Sequence, residues 1–174
     1  MLNQDYLKSL YEYKDGALYW KIARNNKVKI GDFVGGLDLS INRFVVGLDS
    51  KKHLRSRLIF LYHKGYLPKC VDHRDRNQLN DRIENLRPST KAQNCQNSTS
   101  AKNSTSVYLG VHLDKQKYIM ANGDIKIYKK WKASIIIDGK VVNLGRFINE
   151  IDAAKAYNNA ALSHHGEFSN LNVF

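Results

Sequence analysis

Asp72 and His73 are adjacent and lie between an apolar run and a polar loop, in the stretch CVDHRDRNQLNDRIENLR. Asn85 follows His73 by 12 residues and Asn94 follows it by 21. These residue types suit the hydrolysis of a phosphodiester. That reaction needs a base to activate water, a cation to stabilise the leaving oxygen, and a scaffold that fixes both. A histidine titrates near neutrality and can take the water's proton. An aspartate oxygen suits a hard cation such as magnesium, which keeps several waters and takes one or two protein ligands. Asn94, on a short helix, adds a neutral oxygen. Successive side chains of a strand point to opposite faces, so Asp72 and His73 can serve a metal on one side and a water on the other. The blander alternative is a core strand that ends in a hydrogen-bonded histidine.

The elements that must carry these groups can be read around them. Cys70–His73 is predicted as a strand, Ile83–Leu86 as its return, and STKAQNCQN as a short helix with Pro88 in its first turn. Upstream, Ala17–Ile22, Gly31–Leu37 and Phe44–Leu48 read as short antiparallel strands between Gly, Asn and Asp turns. Leu58–His63 is a strand or a helix start, closed by Gly65–Pro68. Asp75 and Asp81 are expected as solvated loop carboxylates, the alternative being that they support the site from behind its ligands. His53, His63, His164 and His165 have no partners at metal or triad spacing and read as surface or packing residues. Cys70 and Cys95 show no zinc spacing and read as ordinary semi-buried thiols.

The spacing resembles the HNH endonucleases, in particular the phage and intron-encoded homing group in its H-N-N form. Val71-Asp72-His73, Asn85-Leu86-Arg87 and Asn94 carry the resemblance, which runs over about residues 10–97. It implies a hairpin followed by a helix gripping one Mg²⁺ or Mn²⁺ ion. His73 is implied as general base, Asp72 and Asn94 as metal ligands, and Asn85 as the brace of the hairpin loop. In two places the chain departs from that pattern. Arg76 stands where the loop usually has a turn glycine, and Ser56-Arg57-Leu58 replaces the usual His-Arg-Leu.

Ser98–Ser106 has no apolar residue larger than alanine and reads as a linker. The expected organisation is therefore a nuclease module over 1–97 with its ββα-metal core at about 70–97, a linker over 98–106, and a second module over 107–174. In the second module Val107–Leu113, Trp131–Ile137 and Val141–Phe147 alternate as strands, and Asp138-Gly139 is a hairpin turn. Asn149 then caps a helix, AAKAYNNAALSHH, that stops at Gly166. Gly110-Val111, Trp131-Lys132-Ala133, Leu144-Gly145-Arg146-Phe147, the alanine-rich helix and Gly166–Asn172 are similar to the ethylene-response-factor (APETALA-type) DNA-binding domain. An insertion of about Gln116–Tyr128, with a turn at Asn122-Gly123, lengthens its first hairpin. Alternation puts Trp131, Ala133, Ile135, Ile137, Val142 and Leu144 against the helix. Lys132, Ser134, Ile136, Val141 and Asn143 then face outward, and His112, Lys130, Lys140 and Arg146 complete the expected DNA surface.

The charge balance agrees with a polyanionic partner. The chain has 174 residues and a formal charge of +12. Residues 1–97 hold 18 Lys/Arg against 10 Asp/Glu, and residues 98–174 hold 10 against 6. Basic charge spread through folded sequence favours nucleic acid over a membrane. No signal peptide is read at the start, so a cytoplasmic protein of a phage-infected bacterial cell is expected. The overall expectation is an α+β, two-module, sequence-selective, divalent-metal-dependent endonuclease. It would act on double-stranded DNA as a monomer, mainly nicking one strand of an asymmetric site. The alternatives are a non-catalytic DNA-binding regulator with an inactive HNH fold and, with less in its favour because no stacked-aromatic motif occurs, an RNA-binding protein.

Overall fold

A computed structural model describes residues 2–24, 27–97 and 104–174. The chain forms two compact units, Met1–Asn94 and Cys95–Phe174, each with its own core. Residues 98–103 of the expected linker lie outside the described residues. Ser104–Ser106 are tied into the second unit, where the Ser106 hydroxyl donates to Glu150 Oε1 at 2.6 Å and Thr105 Oγ1 accepts from the Leu113 amide.

The first unit opens with helix α1 (Gln4–Leu10), which sequence reading misses. Asn3 caps it by accepting from the Tyr6 amide at 2.8 Å, satisfying one orphan donor of the first turn. Strands β1 (Tyr11–Lys14) and β2 (Ala17–Trp20) form a hairpin; β3 (Gly36–Asp38), β4 (Arg43–Leu48) and β5 (Lys51–Leu54) form an antiparallel meander. The ambiguous segment resolves as helix α2 (Arg55–Lys64). Leu58, Ile59, Phe60 and Leu61 are all buried, so four consecutive turn positions meet protein on every side, which no single-face period reveals. Gly65 ends the helix in the left-handed conformation, φ 76°, and its N–H returns to Leu61 O. The core around α2 is completed by Leu7, Tyr11, Leu18, Val46, Leu48, Val71 and Leu86. Burial pushes the Tyr11 phenol up to about 12.

Strand β6 (Cys70–His73) pairs antiparallel with β7 (Leu86–Ser89), and a 3₁₀ turn (Ile83–Asn85) precedes β7. The return strand thus starts three residues later than expected. Pro88 sits in β7 opposite Val71 rather than in the next helix. Helix α3 (Lys91–Gln96) starts after Thr90. Thr90 Oγ1 accepts from the Gln93 amide and Gln93 Oε1 accepts from the Thr90 amide, a reciprocal cap that fixes the start. Cys70 is half-buried as expected, whereas Cys95 is exposed.

The second unit is an antiparallel sheet with β9 (Ile125–Ile137) between β8 (Val111–Ile119) and β10 (Lys140–Phe147), packed on helix α4 (Glu150–His165). The first strand begins at Val111, not Val107, which is exposed. Trp131, Ala133, Ile135, Ile137 and Leu144 pack with Ala153, Ala154, Tyr157 and Ala161. Val142 shares the face of its partner Ile135 but stays 38% exposed, because it lies on an edge strand. A bulge between Asn143 and Gly145 bends that edge. Asn172 closes the unit: it accepts from the Leu109 amide at 2.7 Å, donates to Leu109 O, and exchanges two further bonds with Asn158.

Gly110 has φ 74°, and a methyl there would run into the Tyr157 ring and Ser134 O. Gly110→Ala should therefore cost about 2–4 kcal/mol, overpacking added to left-handed strain. The measurement is amide hydrogen exchange of β8–β10, which should lose protection while α1 and α2 keep theirs.

Candidate active site

The β6–β7 hairpin puts Asp72 opposite Arg87 and His73 opposite Leu86. Alternation then sends the two acid–base groups to opposite faces, each to its own charged partner. Asp72 and His73 are each only 4% exposed. Arg87 Nε donates to Asp72 Oδ2 at 2.8 Å, with both side chains buried. On the other face His73 Nε2 lies 2.8 Å from Asp81 Oδ1, and Arg55 Nε donates to Asp81 Oδ2 at 2.9 Å.

Asp81 is thus no solvated loop carboxylate. It is 3% exposed and bridges a histidine from β6 to an arginine from the first turn of α2. Arg55 in turn lies 3.6 Å from the centroid of the Phe44 ring, and its buried charge meets the negative face of that ring. Sequence spacing gives no hint of this chain, since Arg55, His73 and Asp81 fall on a helix, a strand and a loop. The one local sign is the apolar Leu79 and Ile83 flanking Asp81, which mark that part of the loop as turned inward. Ser56, at the position of the missing histidine, is buried in the same helical turn.

The loop between the strands is braced from within. Asn85 donates to Asp75 Oδ1 and to Asn80 O, each at 2.8 Å, and its side-chain oxygen accepts from the Asp75 amide at 3.0 Å. Asn80 adds a bond to Asp75 Oδ2 at 2.7 Å. Burial pushes the Asp75 carboxyl up, yet hydrogen bonds from Asn80, Asn85 and the Asn77 amide outweigh it and hold it below the ordinary carboxylate range. Arg76 occupies the turn in the left-handed region at φ 65°, so the loop keeps a glycine-type bend with an arginine in it. Its N–H closes the turn on His73 O at 3.0 Å.

Asn94 is half-buried on α3, and among the described residues its carboxamide makes no hydrogen bond. Asp72 and Asn94 together offer hard oxygen donors, the type that suits a cation which retains most of its waters. The Asp72 carboxylate already carries Arg87, so a cation there shares it with a second positive charge. Among the described residues, no group of three or more His, Cys, Asp or Glu side chains is placed to hold a metal. By type, these two oxygen donors suit a hard ion rather than zinc.

The second unit presents an open sheet face. His112, Lys132 and Arg146 form a cross-strand row, with Ser134 beside Asn143 and Ile136 beside Val141. Lys130 is exposed one pair further out, opposite Asp114. Arg146 Nε donates to Asp114 Oδ2 at 2.7 Å. Lys140 pairs with Ile137 beside the hairpin turn, exposed but on the other side of the sheet from this row. His165 is a packing residue, its Nε2 2.9 Å from Ile136 O, and His63 packs edge-on against Tyr13.

Left-handed arginine costs more than left-handed glycine, so Arg76→Gly should raise unfolding stability by about 0.5–1 kcal/mol. The readout is the urea midpoint at unchanged slope; a lower midpoint would show that the Arg76 side chain stabilises the loop.

Residues 53–96 match the family model described as HNH endonuclease, from within β5 to the end of α3. The match supports a nuclease of the HNH kind at the family level, acting on DNA. No curated protein and no solved structure matches the chain.

Proposed function

We propose that this chain is a metal-dependent DNA endonuclease of the homing type, cutting with its first unit and binding duplex DNA with its second. The observation that carries the reading is the buried Arg55–Asp81–His73 chain within the stretch that matches the HNH endonuclease model. His73 is the general base. Asp81, accepting from Nε2–H, selects the tautomer whose basic lone pair is on Nδ1, and it faces the imidazolium formed when the water's proton arrives. Arg55 holds the Asp81 carboxylate in place. On the opposite face Asp72 and Asn94 would hold one Mg²⁺ or Mn²⁺ ion. Such an ion, when bound, supplies Lewis-acid stabilisation of the leaving oxygen. Arg87 fixes the Asp72 carboxylate, and Asn85 fixes the loop that follows His73.

The second unit supplies affinity. Its open face sets His112, Lys132, Ser134, Asn143 and Arg146 side by side on three strands, with Lys130 beyond, and strands of this kind can read base edges in the major groove. Exposed Ile136 and Val141 on that face suit apolar contact with thymine methyl groups. One Asp-His pair in the chain gives one site, hence nicking of one strand by a monomer. The competing reading, a DNA-binding regulator with an inactive nuclease fold, predicts no cleavage under any metal.

His73→Ala should lower cleavage of supercoiled plasmid in magnesium or manganese by about 10²–10⁴-fold with duplex affinity unchanged. Wild-type turnover in that variant would remove His73 from the chemistry. Open circles should precede linear DNA, and immediate linear product with quadratic dependence on enzyme would show that two chains cooperate.

Asp81→Asn keeps the shape but loses the carboxylate that selects the tautomer. It should reduce kcat by a similar order while leaving KM for DNA in place. An unchanged kcat would reduce Asp81 to a structural role.

A further inference from the structure

Strands β8 and β9 stay paired without a break from Val111 opposite Ala133 to Ile119 opposite Ile125. From the Asp114–Lys130 pair outward, the hairpin has no third strand and no helix on it among the described residues, and every residue from Lys117 to Lys130 is exposed. The arm is six residue pairs long, about 20 Å at strand spacing. A two-stranded ribbon gains little stability from itself, so the packing of its own unit does not account for it.

The two faces of the arm differ. Register puts Gln116 beside Tyr128 and Tyr118 beside Lys126 on one face, in line with Lys130, Lys132 and His112. Tyr118 and Tyr128 meet edge to face at 5.3 Å, Lys126 lies over the Tyr128 ring, and the Gln116 amide is 3.1 Å from the Tyr118 hydroxyl. Gln116, Tyr118, Met120, Tyr128 and Lys130 line a depression of about 350 Å³. The opposite face alternates Lys115, Lys117 and Lys129 with exposed Ile119, Ile125 and Ile127. The segment 114–130 holds five lysines against two aspartates, and Arg146 already pairs with Asp114.

We propose that the Gln116–Tyr118–Lys126–Tyr128–Lys130 face of this arm is a further DNA contact, continuing the open sheet face along about six more base pairs of duplex. The proposal rests on the DNA-binding reading of the second unit. Its lysines neutralise phosphates, the tyrosine hydroxyls bond phosphate oxygens, and Gln116 meets base edges if the ribbon enters the groove. The opposite face, where exposed isoleucines gain nothing from phosphate, turns away.

The test is the salt dependence of full-chain binding to a random-sequence 40-base-pair duplex under chelator, so that nothing is cut. Lys126→Gln with Lys130→Gln should make the slope of log affinity against log salt shallower by about 1.8, and Tyr118→Ala with Tyr128→Ala should weaken binding at fixed salt. Lys115→Gln with Lys117→Gln, on the other face, should change the slope by less than half as much. If both lysine pairs act equally, or neither acts while the wild type binds, the face assignment is overturned. A wild type that binds no duplex even at low salt defeats the DNA-binding reading itself, and the arm falls with it.

Discussion

The Asp81 carboxylate is the interaction on which the first unit turns. It is buried and shared between His73 and Arg55. Taking such a charge out of water costs several kcal/mol, and that cost is offset only when both oxygens are well bonded. Each is, at 2.8 and 2.9 Å. The pairing therefore constrains three elements together: α2 must present Arg55 in its first turn, β6 must end at His73, and the loop must fold back far enough to insert Asp81. Losing the Asp81 side chain outright would leave the Arg55 charge uncompensated in the interior, whereas without His73 the Arg55–Asp81 pair still balances.

The hairpin makes this compatible with a second charged pair a residue away. Because β6 alternates, Asp72 turns to Arg87 while His73 turns to Asp81. The two carboxylates stay on separate faces, and each side has its own counter-charge. The loop between the strands is braced for an equally local reason, the Asp75–Asn80–Asn85 network, whose bonds determine the turn that holds Arg76 in the left-handed region. The first unit thus places Asp72 and His73 on a strand and Asn85 in a braced turn rather than on a long open loop.

The second unit follows a different logic. Its core is thin: small alanines of α4 against alternate residues of one sheet face, with Gly110 making room for Tyr157. That economy leaves the other face of the sheet, and both faces of the β8–β9 arm, to solvent. An open basic face is what a polyanion requires, whereas the core asks only that the helix side be apolar.

The sequence by itself determined what is local and periodic. Asp72-His73, Asn85 and Asn94 stand out by residue type and spacing. The strands of the second unit follow from their alternation, the turns at Asp138-Gly139 and Asn122-Gly123 from their turn residues, and the end of α4 from Gly166. What it left undecided lacked such a period. Helix α2 is buried all round, so its segment reads as strand or helix alike; α1 is short and set by one cap; β7 hides behind a proline that resembles a helix start. The tertiary structure alone decided that Asp81, a loop acid in the sequence, is a buried partner of His73, and that Arg55 completes it. It also set Lys140, exposed beside the turn, on the side of the sheet away from Lys132 through the register of β10, and left Val142 half-covered at an edge. The physical reason is common to all of these. A charge pair, a register and an edge are relations between segments distant in sequence, and burial energy becomes defined only when those segments meet.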